Sequence, residues 1–219
     1  MPPGRRASGS PSEPTSDDPE ARARQICLRL LTAGPRTRSE LAQALRRGGV
    51  PAEAAEAVLG RFTDVGLIDD AAFARAWVES RHYSRGLSRR TLSVELRRHG
   101  VNTEEIREAV GSLDPEQEVA TARRLVEQKM ASTRGQPPET RARRAAGLLA
   151  RKGYPPGLVY RLIKETLERE GPGATVGLDL DTEPYSDPDD PDADDLAQDP
   201  GLPGRELSGE CDRQADYSL

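Results

Sequence analysis

Ile106, Ala109, Val110 and Leu113 fall at i, i+3, i+4 and i+7, the spacing of one face of an α-helix. Leu158, Val159, Leu162, Ile163 and Leu167 repeat the pattern, and Phe73, Ala74, Trp77 and Val78 form a third such stripe. No stretch between turn signals alternates apolar and polar residues for long enough to make a strand. The pattern predicts an all-α body of nine helices, over 20–33, 38–47, 51–65, 70–84, 88–98, 102–113, 115–134, 138–151 and 155–170.

A repeat groups these helices in threes. Leu45-Arg46-Arg47-Gly48-Gly49-Val50 recurs as Leu96-Arg97-Arg98-His99-Gly100-Val101, and more loosely as Leu149-Ala150-Arg151-Lys152-Gly153-Tyr154. Each copy leads into a turn opened by Pro51, Asn102 or Pro155 and then an amphipathic helix. Basic residues in a last helical turn suit the negative end of the dipole, and the glycine supplies a left-handed C′ residue. Val50, Val101 or Tyr154 then follows as the apolar contact after the cap. The expected architecture is three tandem three-helix repeats, 20–68, 69–114 and 115–170, stacked into an elongated, curved body.

Composition narrows the folded part. Of the 219 residues, 35% are hydrophobic and 4% aromatic, too little to pack the whole chain. Residues 1–19 are rich in Pro, Ser, Gly and Asp and read as a disordered segment. Residues 171–219 read as an acidic disordered tail, where prolines break helices and carboxylates repel one another. The formal net charge of −5 hides a division: residues 20–170 carry a net +8 and residues 171–219 a net −12. A basic body suits an anionic partner, whereas an ordinary solvated arginine-rich surface is the plainer alternative. Neither a long apolar run nor a signal-peptide core is present, so the expectation is a cytoplasmic protein with no membrane span. Cys27 lies in an apolar helix and Cys211 in the polar tail, and reduced thiols are expected.

The sequence offers no catalytic set. His82 and His99 are the two histidines, without the spacing that holds zinc, and both read as structural. No phosphate-binding glycine loop occurs. Asp69-Asp70 and Glu104-Glu105 stand at helix starts, where capping explains them better than acid–base work. No enzyme activity and no cofactor are expected.

Arginine placement is more informative. Leu92 and Leu96 share one face of their helix at about 100° per residue, with Arg90 and Arg97 on the opposite side. In the third repeat, Ala142, Ala146 and Leu149 form the packing face, with Arg144 and Arg151 opposite. Arg47, Arg98 and Arg151 are equivalent across the repeats, as are Arg46 and Arg97. Arginine suits bidentate pairing with carboxylates or phosphates.

The run Gly66-Leu67-Ile68-Asp69-Asp70-Ala71-Ala72-Phe73-Ala74-Arg75, with Trp77-Val78 and Ser80-Arg81 after it, resembles the signature joining the first two units of RecX proteins. Arg85-Gly86-Leu87-Ser88-Arg89-Arg90-Thr91-Leu92 with Glu95-Leu96 and Gly100-Val101 is similar to the second unit of that family, and Arg151-Lys152-Gly153-Tyr154 to the third. Where the family commonly has Gly-Pro this chain has Leu87-Ser88, a departure expected to soften the helix start. The resemblance covers residues 20–170. It implies tandem three-helix units that lodge in the groove of the RecA–DNA filament and restrain the RecA recombinase. It also implies contact residues for RecA and single- or double-stranded DNA: Arg81, Arg85, Arg89, Arg90, Arg97 and Arg98, with Arg143, Arg144, Arg151 and Lys152 in the third unit. An extended body following a groove works as a monomer.

Two other readings compete. Thr37-Arg38-Ser39-Glu40-Leu41 through Gly66-Leu67-Ile68 reads as the helix-turn-helix of a winged-helix-like DNA-binding transcriptional regulator, although Asp69-Asp70 opens another helix where a wing would start. A passive helical scaffold for protein binding is the third.

Overall fold

In a computed structural model of the protein, residues 18–171 are described. Among them are nine α-helices and no strand: α1 (Pro19–Ala33), α2 (Arg38–Arg47), α3 (Ala52–Asp64), α4 (Asp70–Arg85), α5 (Arg89–Arg98), α6 (Thr103–Gly111), α7 (Pro115–Ser132), α8 (Pro138–Arg151) and α9 (Pro156–Glu170). The expectations for residues 1–17 and 172–219 lie outside the described residues. Asp18 and Pro19, assigned from sequence to a disordered segment, instead start α1. The Asp18 carboxylate accepts the Glu20 N–H at 3.0 Å, and Pro19 fills the first turn, where a missing N–H costs nothing.

Helix starts follow local chemistry. Thr37 and Glu40 form a reciprocal capping box on α2, and Asp69, Ser88, Asn102 and Asp114 cap α4, α5, α6 and α7. Four predicted helices began one residue early because Pro51, Ser88, Asn102 and Pro155 are the N-caps of their helices. Ser88 also overturns the expected softening of α5. Its hydroxyl accepts the Thr91 N–H at 3.3 Å, while Leu87 is fully buried. In contrast, α8 opens at Pro137-Pro138 with no side-chain cap, and at 14 residues it outlasts α2 and α5, each of 10.

The helices pack in consecutive triplets, α1–α3, α4–α6 and α7–α9. Each triplet has its own core: Leu41, Leu45, Val58 and Leu59 in the first, Leu87, Leu92, Leu96 and Ile106 in the second, Met130, Leu149, Leu162 and Leu167 in the third. The repeated loops share one geometry. Gly49, Gly100 and Gly153 have φ of 68°, 78° and 83°. The next N–H (Val50, Val101, Tyr154) closes on the carbonyl of Leu45, Leu96 or Leu149 at 3.0–3.2 Å, the Schellman bond that ends a helix on a left-handed residue.

The triplets are joined by one junction used twice. The α2 N-terminus abuts the loop after α5: Thr37 donates its hydroxyl to the His99 carbonyl at 2.6 Å, and Asp70 accepts the Arg38 N–H at 2.8 Å. The α5 N-terminus abuts the loop after α8 in the same way. The Ser88 N–H and the Thr91 hydroxyl both donate to the Lys152 carbonyl, at 3.0 and 3.1 Å, and Glu118 accepts the Arg89 N–H at 2.9 Å. Glycine is required in these loops for close approach as well as for φ. A Cβ on Gly100 would run into Ser39, and one on Gly153 into Thr91 and Ser88, whereas Gly49 faces open space. Asp70 thus reaches across a junction, so only Asp69 of that pair caps its own helix.

Candidate protein and nucleic-acid interface

The ten basic residues singled out by sequence fall into three settings. Arg90, Arg97 and Arg98 on α5 and Arg143 on α8 are exposed. Arg90 and Arg97 are seven residues apart, so they project within about 20° of one another around the helix. Their side turns away from Leu92 and Leu96, both fully buried. Arg143 occupies the position in α8 that Arg90 occupies in α5, and Arg46 and Arg47 are exposed at the corresponding end of α2.

Arg89 and Lys152 serve the junction between the second and third triplets. The Arg89 Nε lies 3.6 Å from Glu118, and the Lys152 ammonium donates to the Arg85 carbonyl at 2.8 Å. Beside them the Tyr154 hydroxyl donates to the Gly86 carbonyl at 3.0 Å, and burial pushes that phenol well above its ordinary range. His82 bridges the Leu87 carbonyl and the Thr121 hydroxyl, at 2.9 and 3.1 Å. Arg144 and Arg151, expected opposite the packing face, are half-buried. The apolar arc of α8 is wider than Ala142, Ala146 and Leu149, since Ala145 and Leu148 are buried too, with α7 on one flank and α9 on the other.

Arg81 and Arg85 line a groove of about 750 Å³ between the α1–α2 turn and α4. Arg81 is only 8% exposed, and its guanidinium lies 4.2 Å over the Trp77 ring. Phe73 stacks on Trp77 at 5.6 Å, and His99 meets the same ring edge-on at 4.3 Å. Opposite stand Arg36 and Glu40, with Glu40 2.7 Å from His99 Nδ1. The Trp77 indole N–H is spent on Glu95 at 2.8 Å. Sequence reasoning missed Arg36 and the aromatic floor as parts of one site. The signal available was the hydrophobic stripe of α4, which predicted burial and gave no sign of the turn that covers it.

Chemically the exposed arginines offer fixed cations for carboxylates or phosphates, and the groove offers cations above an aromatic floor. No cluster of three or more His, Cys, Asp or Glu residues suited to a metal occurs among the described residues. No helix among them is long and apolar enough to cross a membrane.

Three family models match in series: the first three-helix domain of RecX over residues 23–62, the second over 69–110 and the third over 116–163. The chain is 56% identical over 173 residues to the regulatory protein RecX of Thermobifida fusca, an alignment spanning 77% of this chain and 94% of that relative. It is 58% identical over 154 residues to its counterpart in Streptomyces coelicolor, over 70% and 82% of the two chains. A crystal structure of a regulatory protein RecX aligns with a TM-score of 0.59 at 27% identity, covering 68% of this chain and 72% of that one. RecX from Lactobacillus salivarius aligns with a TM-score of 0.61 over 68% and 96%, and at 18% identity shares the fold. The nine described helices, in three triplets each matched by its own family model, place this chain in the RecX family of regulatory proteins.

Proposed function

We propose that the protein binds the RecA–DNA filament and modulates RecA, mainly by inhibition, during DNA repair and recombination, acting by contact and without a cofactor. The observation that carries this reading is the junction used twice. It sets α8, α5 and α2 end to end, so that Arg143, Arg90 and Arg97, and Arg46 recur along successive triplets on exposed helix surface. Guanidiniums repeated from unit to unit suit an extended anionic partner better than a compact one. The binding body runs through three units, 20–68, 69–114 and 115–170, and works as a monomer in the cytoplasm, where the filament is. A winged-helix regulator is disfavoured because Asp69 caps α4 where a wing strand would begin.

The test is charge reversal at Arg90→Glu with Arg97→Glu. Filament affinity should fall by at least about tenfold, since a desolvated charge pair that loses one partner commonly costs about 2–5 kcal/mol. Helicity by circular dichroism should be unchanged, and the salt dependence of binding should become shallower. Undiminished inhibition of RecA strand exchange by the double variant would place the contact elsewhere. A sequence-preferring footprint on bare DNA would favour the transcriptional reading.

A further inference from the structure

The basic residues of the body divide by whether they are already engaged. Arg81 lies on Trp77, Arg89 faces Glu118 and Lys152 holds the Arg85 carbonyl. Arg85, Arg144 and Arg151 are engaged as well. Arg90, Arg97, Arg98 and Arg143 are exposed, and none of their guanidiniums meets a carboxylate or another acceptor among the described residues. Three of these four stand on α5, which sets four arginines against a single carboxylate, Glu95, itself accepting from the Trp77 indole. This surface has positive charge that its own surroundings leave unmatched.

An anion to match it is covalently attached. Residues 179–199 hold ten acidic residues and no basic one, and Pro184, Pro188 and Pro191 oppose helix formation there. The body also fixes where the chain sets out towards this segment. Both oxygens of Glu170, the last residue of α9, meet Arg141 of α8 at 2.7 Å. The chain therefore leaves beside α8, within one helical turn of Arg143 along that helix. From Arg141 to Arg151 α8 covers about 15 Å, and the Lys152 carbonyl then meets the Ser88 N–H and the Thr91 hydroxyl at the start of α5. Along that path Arg90 lies at most about 40 Å from Glu170. Asp187 follows Gly171 by 16 residues, up to about 53 Å of chain at 3.3 Å per residue. The acidic run thus has the length to meet Arg143 and Arg90 together. Tethering holds it at a local concentration on the order of millimolar.

We infer that the acidic segment 179–199 binds in cis to the free arginines Arg143, Arg90 and Arg97 and masks them from outside anions. The contact is electrostatic and reversible by salt. Its consequence rests on the proposed function, because these arginines are the surface offered to the filament; the contact itself needs no RecA.

The chain supplies its own probes. Trp77, the one tryptophan, stands against α5 through Glu95. Of the two cysteines Cys27 is fully buried, which directs a thiol-reactive energy acceptor to Cys211. The sign of the salt response decides. Salt releases a docked segment, so transfer from Trp77 to the label in the full-length protein should fall as salt rises to about 1 M, where the screening length is about 3 Å. An undocked polyanion repels itself and is most extended at low salt, so its transfer would rise instead. Arg90→Gln with Arg97→Gln and Arg143→Gln should abolish the fall at unchanged helicity. So should Asp187→Asn with Asp189→Asn, Asp190→Asn, Asp192→Asn, Asp194→Asn and Asp195→Asn. Flat or rising transfer in the wild type would overturn the inference. A fall that survives the three arginine changes would also overturn it, as would one that weakens on dilution, which would assign the contact to a second copy. Binding to the RecA filament is the functional arm. A segment docked about three-quarters of the time weakens outside binding about fourfold, so the aspartate variant should bind the filament more tightly by the factor that the transfer sets. Equal affinity in the two proteins would overturn the masking. If neither binds the filament, the proposed function fails while the salt response still decides the docking.

Discussion

Arg141 is the residue whose environment departs most from its type. It is 6% exposed, donates through Nε and Nη2 to the Met130 carbonyl at 3.2 and 3.0 Å, and meets both oxygens of Glu170 at 2.7 Å. One side chain thereby ties the end of α9 to the end of α7. Arg141→Ala should lower stability by roughly 2 kcal/mol, the scale of hydrogen bonds to charged groups plus an unsatisfied carbonyl, readable as a lower urea midpoint at unchanged helicity. The same pair gives a pH dependence. The Arg141 hydrogen bonds, and to a lesser degree its charge, hold the Glu170 carboxyl below its ordinary 4.5. A depressed carboxyl adds stability that is complete above the unfolded value and is lost as pH falls through the folded one. Glu170→Gln should therefore flatten the acid limb of the stability curve below about pH 4.5 while changing it little in slope near neutrality. Asp70 behaves oppositely: burial raises its carboxyl, against the pull of Arg38, so it favours folding more when protonated. An unaltered acid limb in Glu170→Gln would contradict the assigned ion pair.

At the scale of the element, the glycine loops separate two effects that are usually merged. Gly49, Gly100 and Gly153 share a left-handed φ, yet only the last two sit against a neighbouring triplet. Gly49→Ala should cost about 1 kcal/mol for its backbone alone. Gly100→Ala and Gly153→Ala should cost clearly more, because Ser39, or Thr91 and Ser88, must move. Three equal losses in thermal unfolding would show that the junctions contribute nothing. The loops themselves were legible in sequence because their determinants are local: a basic last turn, a glycine, then an apolar residue five positions after the partner carbonyl. The junctions were not, because Thr37 and His99 stand 62 residues apart and Tyr154 and Gly86 stand 68 apart. Nothing near Thr37 in the chain says which carbonyl its hydroxyl will find. The same holds for the candidate contact residues. Helical angle alone placed Arg90 and Arg97 outward. Angle could not foresee that Arg89 would turn to Glu118 from another triplet, or that Arg81 would lie on Trp77 under the α1–α2 turn.

The described residues form three small apolar cores linked by hydroxyls, carbonyls and carboxylates. Such a body behaves as a one-dimensional series, with stability divided between units and the interfaces joining them. Tyr154→Phe, which deletes the bond to the Gly86 carbonyl, should cost about 1 kcal/mol. Native-state amide exchange should show the loss in α7–α9 and leave α1–α3 unchanged; uniform acceleration across all nine helices would mean a single cooperative core. The series also has a direction. At both junctions the middle helix offers a side-chain hydroxyl and a first-turn N–H to the unit beyond it, Thr37 and Arg38 at one, Thr91 and Arg89 at the other. The start of α8 is built differently, at Pro137 and Pro138 with no side-chain cap. Hydrogen bonds are directional, so the two joints at α2 and α5 set how each unit is aimed at the next as well as holding it there.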